Sequence, residues 1–192
     1  MIIAFGHRSR VGKDTASQML VNHLRQQLPS LRVNKTAFAD QLKIVAHHLY
    51  GWAGIQNKTF YDNNPDERLK RNEILGMTPR DLWVEVGMKI RSINPDTWVN
   101  TTLEQLKKSD IIIISDLRFQ NEASIIKQMR PNSKLVRIFR PEAPLYDSPA
   151  DNALEGQDVW THHINNVGDL TQFHDMIIRF GNSIIPEIVA ST

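Results

Sequence analysis

Short apolar runs separated by amphipathic stretches form the dominant pattern along this chain. Five runs predict strands, the last more weakly than the others: Ile2–Phe5, Val33–Phe38, Ile111–Ser115, Leu135–Phe139 and His163–Asn166. Apolar residues recur at helical spacing over 13–28, 40–50, 79–92, 97–108, 120–129 and 169–180. Strands that alternate with helices predict an α/β fold with a five-stranded, mainly parallel sheet covered on both faces. The unbroken run of isoleucines at 111–114 is typical of a strand buried on both sides.

Two longer stretches interrupt this alternation. Residues 51–77 are polar and rich in turn-forming residues, and residues 141–161 carry three prolines and several acids. Long irregular insertions in compact domains are often binding loops or lids, with surface decoration as the alternative. We expect residues 141–161 to form a small lid that is mobile without ligand.

The composition narrows the classes of protein to which the chain can belong. Its 192 residues suit a single domain with a sizeable core. A net charge of +2 argues against a general nucleic-acid-binding role, although it is compatible with an anionic substrate. The absence of cysteine excludes disulfides and thiolate metal sites, and no apolar run approaches the length of a membrane span. We therefore expect a cytoplasmic protein with no membrane partner.

The first seventeen residues, MIIAFGHRSRVGKDTAS, carry the most informative signal. An apolar run breaks at Gly6, and a small basic loop leads through Gly12 and Lys13 into a helical pattern. In such a unit the backbone N–H groups and the helix dipole hold phosphate groups, and the lysine reaches the outer ones. The usual spacing has a glycine at the position of His7 and a serine or threonine at that of Asp14. A turn that binds nothing is the alternative, but the flanking strand and helix favour a nucleotide site.

Charged residues follow two further predicted strands. Asp40 comes directly after the second strand, and Asp116, Arg118 and Glu122 follow the isoleucine run. In open parallel sheets, ligands bind beyond the carboxyl ends of the strands. There an acid can hold Mg²⁺ and an arginine can bind a phosphate group through two hydrogen bonds. Each of these residues alone has another explanation. Asp40 could cap the helix that follows it, and Arg118 and Glu122 could form an ion pair on the surface. Together with the loop, these residues favour a phosphoryl-transfer site.

Six ordered parts of the sequence carry a resemblance to a known family. They are GHRSRVGKDT, FADQLK, TPRDLW with the later PDTWV, IIISDLRFQNEA, RIFRP and HHINNVGDL. In these, nearly the whole chain resembles bacteriophage-type deoxynucleoside monophosphate kinases, which have the P-loop nucleoside monophosphate kinase fold. The resemblance implies one three-layer P-loop kinase domain over residues 1–192, with a helical acceptor-binding insertion at about 40–95 and the lid at about 141–161. It also implies transfer of the ATP γ-phosphoryl group to a deoxynucleoside 5′-monophosphate, with ATP and Mg²⁺ as cofactors.

The resemblance implies roles for individual residues as well. The residues expected in catalysis are Lys13, Asp40, Asp116 and Arg118. Those expected to bind ATP are Gly6, Arg10, Gly12, Lys13, Asp14, Thr15, Arg140, Asn165 and Asn166. Those expected to bind the acceptor are Asp40, Lys43, Arg80, Trp83, Arg118 and Glu122, and those expected to hold Mg²⁺ are Thr15 and Asp116. The role of Asp14 is left open, because a carboxylate there would repel phosphate unless it faced the metal or a basic side chain.

Two alternatives stand beside this hypothesis. The same machinery could act on another small acceptor, such as dephospho-coenzyme A or a modified nucleotide or base, or the chain could be a non-catalytic nucleotide-binding module. Small-molecule nucleotides are the expected partners, a homodimer is left open, and the dispersed basic residues argue against nucleic acid. If the chain is phage-encoded, the compartment is the cytoplasm of the infected bacterial host. The sequence does not indicate which bases are accepted, or whether ribose can replace deoxyribose.

Overall fold

The computed structural model describes residues 1–144 and 149–191, and a sheet of five parallel strands runs through this part of the chain. The strands are β1 (Ile2–Gly6), β2 (Val33–Thr36), β3 (Ile111–Leu117), β4 (Lys134–Phe139) and β5 (His162–Asn165). They lie in the order β2-β3-β1-β4-β5, and each neighbouring pair is parallel. The predicted α/β fold with a five-stranded, mainly parallel sheet is confirmed.

Helices occupy most of the connections between the strands. They are α1 (Lys13–Gln27), α2 (Phe38–Tyr50), α3 (Lys58–Asn63), α4 (Pro79–Ile93), α5 (Thr97–Gln105), α6 (Gln120–Met129), α7 (Pro149–Asn152) and α8 (Leu170–Ala190), with 3₁₀ turns at Gly51–Ala53 and Pro65–Leu69. All six predicted helices are present. The short helices α3 and α7 lie in the two stretches predicted to be irregular. Residues 145–148 of the predicted lid lie outside the described residues.

The predicted end of α8 at residue 180 is wrong, because the helix continues to Ala190. Gly181 lies inside it, where a β-carbon would come within 2.7 Å of Cδ2 of His23 in α1. This glycine therefore allows close packing of two helices and does not end one. Ile184 and Ile188 stay buried at helical spacing on either side of Pro186, so the apolar face of α8 continues past the proline.

Strand β3 lies inside the sheet, between β2 and β1. Its four isoleucines at 111–114 are each at most 1% exposed, so both faces of the strand are covered. This burial confirms the interpretation of the uniformly apolar run as a strand with no solvent-exposed face.

The strand order places the carboxyl ends of β3, β1 and β4 side by side. From β1 the chain runs towards the edge of the sheet formed by β2. From β3 it runs in the opposite direction, towards β4 and the edge formed by β5. Such a reversal is a topological switch point, where open α/β sheets bind their ligands. The loop that follows β1, residues 7–12, begins at this point.

The pairing of β1 with β3 contains a bulge near this edge. Ala4 pairs with Ile114 but Gly6 pairs with Leu117, so two steps along β1 correspond to three along β3. The extra residue lies in the Ser115–Asp116 part of β3. Bulges of this kind change the direction of side chains and are common beside functional sites.

The chain divides into two compact units, Met1–Ala37 with Gln105–Thr192, and Phe38–Glu104. We call them the sheet unit and the helical unit. The helical unit has an apolar core of its own, formed by Ala46, Ile55, Tyr61, Leu82, Trp83 and Val86. Its helix α4 begins at a capping box, as the sequence TPRD predicts: Thr78 Oγ1 accepts a hydrogen bond from the Asp81 N–H at 3.1 Å. The single domain with an acceptor-binding insertion at about 40–95 stays a prediction. Among the described helices, none has both the length and the apolar character that crossing a bilayer requires.

Candidate functional site

The loop of residues 7–12 has an unusual backbone conformation. His7, Arg10 and Gly12 have φ angles of 98°, 59° and 103°, which lie in the left-handed region that glycine adopts most easily. Left-handed residues in a tight loop turn neighbouring backbone N–H groups towards one side, and such concave surfaces bind anions. Helix α1 begins directly after the loop, at Lys13, so the positive end of its dipole adjoins the same surface.

Asn166 holds the end of this loop in place. Its Nδ2 donates a hydrogen bond to the carbonyl oxygen of Val11 at 2.9 Å. A β-carbon at Gly12 would lie 2.8 Å from the same Nδ2 atom, so both the backbone angle and the approach of Asn166 require glycine there. The contact gives Asn166 a role in shaping the loop, while its predicted contact with ATP stays a prediction, as does that of the exposed Asn165.

Gly6 is required by packing at the end of β1. A β-carbon there would lie 2.5 Å from Cη2 of the Trp160 ring and 2.8 Å from the carbonyl oxygen of Leu117. No side chain can therefore replace the glycine without moving the tryptophan or β3. The predicted contact of Gly6 with ATP is a separate matter and remains a prediction.

Lys13 is buried at the start of α1, with 6% of the residue exposed. Its Nζ donates a hydrogen bond to the carbonyl oxygen of Arg8 at 2.5 Å, so the side chain folds back onto the loop. Burial, followed by the positive charge of Arg118, lowers the pKa of Lys13 from 10.5 to about 7. The charge on Lys13 therefore lacks full compensation, and an anion at the loop would favour the protonated form.

The charges that act on Lys13 indicate which predicted residues lie near one another. Arg118 lowers the pKa of Lys13, and Asp14 and Asp116 raise it. Lys13, Asp116 and Arg118, three of the four predicted catalytic residues, are thus neighbours at the carboxyl ends of β1 and β3. Asp40, the fourth, belongs to the helical unit.

A carboxylate from a distant part of the chain contacts the same loop. Oδ1 of Asp151 accepts hydrogen bonds from the backbone N–H of Ser9 at 2.7 Å and from the Ser9 hydroxyl at 3.0 Å. The Arg118 guanidinium forms an ion pair with this oxygen and donates to Ser9 Oγ at 3.2 Å. Asp151 is only 4% exposed. Burial alone would raise the pKa of Asp151, but the charge of Arg118 and the Ser9 hydrogen bonds outweigh it and lower the pKa.

A second carboxylate of the same segment lies among basic side chains. Oε2 of Glu155 is 3.1 Å from Nη2 of Arg8 and 3.1 Å from Nε2 of His7, and its Oε1 is 3.4 Å from Nη2 of Arg137. Arg137 Nη2 also lies 2.9 Å from His7 Nε2. Burial lowers the pKa of His7 more than Glu155 raises it, which favours the neutral imidazole.

Glu122 fixes the turn that carries Arg118. Its Oε2 accepts hydrogen bonds from the backbone N–H groups of Arg118 at 2.9 Å and Phe119 at 3.1 Å. The residue is 1% exposed, so the alternative of a surface ion pair with Arg118 is wrong. The carboxylate instead satisfies backbone groups at the start of α6. Its predicted contact with the acceptor stays a prediction.

The two residues predicted to hold Mg²⁺ differ in exposure. Asp116 is half-buried in the bulged part of β3, whereas Thr15 is exposed in the first turn of α1. Carboxylate and hydroxyl oxygens suit Mg²⁺, which usually takes one or two protein ligands and completes its shell with water and substrate phosphates. Thr15 and Asp116 thus carry oxygen donors of the type that Mg²⁺ uses, and their role as its ligands stays a prediction.

The helical unit contains a network of four charged side chains. Nζ of Lys58 lies 3.5 Å from Oδ1 of Asp40 and 2.5 Å from Oδ2 of Asp62, and Nζ of Lys43 lies 3.2 Å from Oδ1 of Asp62. Burial alone would raise the pKa of Asp62, but its two lysines outweigh it and lower the pKa. The sequence singled out Asp40 and Lys43 but not Lys58 or Asp62.

Trp83 joins this network to the core of the helical unit. Nζ of Lys43 lies 5.5 Å from the centre of the Trp83 ring, within the range of a cation–π contact. The Trp83 ring also packs edge-to-face against Tyr61, with 5.0 Å between the ring centres, within the apolar core of the unit. In the described part of the chain, Trp83 Nε1 is buried without a hydrogen-bond partner. A buried donor without a partner is energetically unfavourable.

Three arginines with predicted ligand contacts lie at the surface. Arg10 is exposed in the loop, and Arg80 is exposed in the first turn of α4. Arg140 follows β4, where its Nη2 lies 3.9 Å from Oε2 of Glu142. Their assigned roles remain predictions.

The sequence did not identify Ser9 of the loop, or three residues that contact the loop or its partners: Arg137, Asp151 and Glu155. A signal was present, because residues 141–161 are acidic and the loop of residues 7–12 is basic. Charge complementarity between the two segments could have suggested their contact. It could not have indicated which acid meets which base.

Comparison with known proteins gives only distant likenesses. No protein-family model matches the chain, and no curated protein is significantly similar to it. Similar solved structures include a sugar kinase from Janibacter sp. HTCC2649, with 11% identity and a TM-score of 0.47 over 98% of this chain and 97% of that one. Dephospho-CoA kinase from Campylobacter jejuni has 13% identity and a TM-score of 0.46, with 96% and 98% covered. Shikimate kinase from Aquifex aeolicus has 14% identity and a TM-score of 0.42, with 96% and 99% covered. Likeness at this level does not define the activity of this chain.

Proposed function

We propose that this chain is a phosphotransferase that moves the γ-phosphoryl group of ATP to a deoxynucleoside 5′-monophosphate, giving the diphosphate and ADP. The observation that supports it best is the neighbourhood of Lys13 and Arg118 beside a left-handed loop at a topological switch point. Lys13 is buried beside Arg118 without full charge compensation, so an added anion would favour its protonated form. A nucleotide phosphate is an anion of the right kind.

On the donor side, the loop of residues 7–12 and the first turn of α1 would hold the phosphates of ATP. Backbone N–H groups of the loop would bind the phosphate oxygens, and Lys13 would exchange the Arg8 carbonyl for the β- and γ-phosphates. Thr15 and Asp116 would hold Mg²⁺, which supplies neutralising charge between the phosphates when bound.

Phosphoryl transfer requires positioning and neutralisation of charge more than covalent help from the protein. The acceptor phosphate is already anionic at neutral pH, so no strong base is needed to activate it. Arg118 would shield the two approaching anions from each other, because its guanidinium can bind two oxygens at once. Glu122 keeps the backbone of Arg118 in place through the hydrogen bond at 2.9 Å.

On the acceptor side, we assign the monophosphate to the helical unit. Lys43 and Lys58 supply positive charge, and Asp40 and Asp62 balance it until a phosphate arrives. Trp83 contacts Lys43 of this network through its ring face, at 5.5 Å from the lysine Nζ to the ring centre. The assignment of Asp40, Lys43, Arg80 and Trp83 to acceptor binding rests on the sequence resemblance together with this network.

A steady-state panel tests the proposed activity. ADP release is measured with ATP, Mg²⁺ and each of the four deoxynucleoside monophosphates, with base-modified forms, the matching ribonucleotides and dephospho-coenzyme A as comparison acceptors. We expect turnover with at least one deoxynucleoside monophosphate to exceed that with every other class of acceptor. The Lys13→Met variant, purified in parallel, measures any contaminating kinase.

Two results would replace the proposal. Turnover confined to dephospho-coenzyme A or another non-nucleotide would keep the phosphotransferase and change its acceptor. Tight ATP binding without transfer to any acceptor would indicate a nucleotide-binding module.

A further inference from the structure

The contact between Asp151 and the loop of residues 7–12 has the chemistry of a bound phosphate. An amide N–H at 2.7 Å, a hydroxyl at 3.0 Å and a guanidinium all meet one carboxylate oxygen. These are the donor types that proteins use for phosphate oxygens. The carboxylate comes from α7, and its partner Ser9 lies in the loop that the sequence assigns to nucleotide binding.

We propose that Asp151 is an internal phosphate mimic: its carboxylate occupies an anion subsite formed by Ser9 and Arg118, and a polyphosphate must displace it to bind. The inference rests on the proposed function only to the extent that the loop binds phosphate, whatever the acceptor. It adds Ser9 to the phosphate ligands and makes Asp151 a competitor of the nucleotide.

The charge balance around the loop supports competition. Asp151 compensates Arg118, and Glu155 lies within 3.4 Å of the nitrogen atoms of Arg8, Arg137 and His7. An incoming polyphosphate would bring more negative charge to groups that already hold two carboxylates. Both sets of anions cannot share the same donors, because the carboxylate oxygens and phosphate oxygens would repel each other at contact.

The contact of Asp151 with Ser9 and Arg118 is also buried and held by the backbone. Asp151 is 4% exposed, and the backbone N–H and the hydroxyl of one residue converge on the same oxygen. Arg118 is held by Glu122, which is itself 1% exposed. A surface ion pair between mobile side chains would have neither this burial nor this backbone donor.

The alternative is a permanent structural link between α7 and the loop. In that case a polyphosphate would bind elsewhere on the loop, and removal of the carboxylate would loosen the site. The two possibilities predict opposite changes in affinity. An internal competitor raises the apparent Kd by the inverse of the fraction of time that it leaves the subsite vacant.

The test is calorimetric titration of the full chain with tripolyphosphate, without Mg²⁺ and without any acceptor. Asp151→Asn keeps the shape of the side chain and removes its charge. We expect the variant to bind tripolyphosphate about tenfold more tightly than the parent. This factor corresponds to a subsite that Asp151 leaves vacant for roughly a tenth of the time in the parent chain. Asp158→Asn is the matched control, because Asp158 is exposed in the same segment and the change in net charge is identical. Its affinity should stay within about twofold of the parent.

Equal or weaker binding by Asp151→Asn would overturn the proposal, and so would equal tightening in both variants, which would indicate only a long-range charge effect. Hydrogen exchange of the parent protein gives a second readout that needs no variant. Tripolyphosphate should speed exchange in residues 149–155 and slow it in residues 7–17; unchanged or slower exchange in 149–155 contradicts displacement.

These outcomes are separable from those of the kinase assay. A chain that passes both binding tests but phosphorylates no nucleotide would retain the internal mimic and lose the proposed activity. A chain that turns over nucleotides with unaltered affinity in Asp151→Asn would retain the activity and lose the mimic.

Discussion

Lys13 and Lys58 are both lysines beside acids, yet their environments affect ionisation in opposite directions. Lys13 is 6% exposed, and burial with the Arg118 charge lowers its pKa to about 7. Burial also acts to lower the pKa of Lys58, but hydrogen bonds and charges from Asp62 and Asp40 outweigh it and raise the pKa. The acids near Lys13 compensate its burial only in part, whereas the acids near Lys58 outweigh the effect of its burial.

The difference indicates how each unit would respond to an anion. At Lys13, a phosphate would add charge compensation that the buried side chain partly lacks, so this contact can be strong. In the helical unit, a phosphate would have to replace existing ion pairs, which makes the net gain smaller. Loss of Lys13 should therefore cost much more than loss of Lys58.

The largest expected effect is on turnover by Lys13→Met. Methionine nearly matches the length of lysine and fits a buried position, but it cannot neutralise charge on the transferred phosphoryl group. We expect kcat to fall by roughly a thousandfold or more, as for other groups that stabilise phosphoryl transfer. Single-turnover measurement with saturating ATP separates this loss from weak binding. A loss of less than about tenfold would remove Lys13 from the catalytic role.

A smaller effect is expected from Lys58→Met in the helical unit. Removing one partner of a half-exposed ion-pair network should raise the acceptor KM by about threefold and leave kcat nearly unchanged. Lys70→Met is the matched control, because Lys70 lies in the same unit and pairs with Glu67 at 2.5 Å, whereas Lys58 pairs with Asp40 and Asp62. Equal changes in both variants would show that the network has no particular role.

The smallest expected effect is on thermal stability, and it depends on pH. Between pH 7 and pH 10.5 the unfolded chain keeps a proton on Lys13 that the folded chain has released. Stability of the parent protein therefore rises with pH across this window. The Lys13→Met variant has no buried charge at this position, so below pH 7 its melting temperature should exceed that of the parent by a few degrees, roughly. The difference between the two melting temperatures should decrease towards pH 10. Melting temperatures at pH 6.5 and pH 9 measure it; a constant gap would contradict the lowered pKa.

Much of the fold could be predicted from sequence because its signals are local. The isoleucine run specified β3, and Thr78 with Asp81 specified the start of α4. The end of α8 could not be predicted beyond residue 180, since the packing role of Gly181 depends on His23, which lies against it in the fold. The sequence of α8 does not reveal that neighbour.

The candidate site divides in the same way. Lys13, Asp116 and Arg118 follow from the rule that ligands bind at the carboxyl ends of parallel strands. The pairing of Ser9 with Asp151 does not, because it joins residues 142 positions apart and depends on where α7 lies. Local patterns predict which charged groups lie at this edge of the sheet, but not which distant side chains pair with them.

The bulge in β3 makes the site sensitive to chain length. Side chains alternate between the two faces of a strand, so removing one residue reverses the face on which every later side chain of that strand lies. Loss of a single codon at Ser115 would straighten the pairing of β3 with β1 and advance Arg118 by one position. Length polymorphism at this codon should therefore be far less tolerated than a substitution there, since it would reorient the guanidinium while leaving the isoleucine core in register.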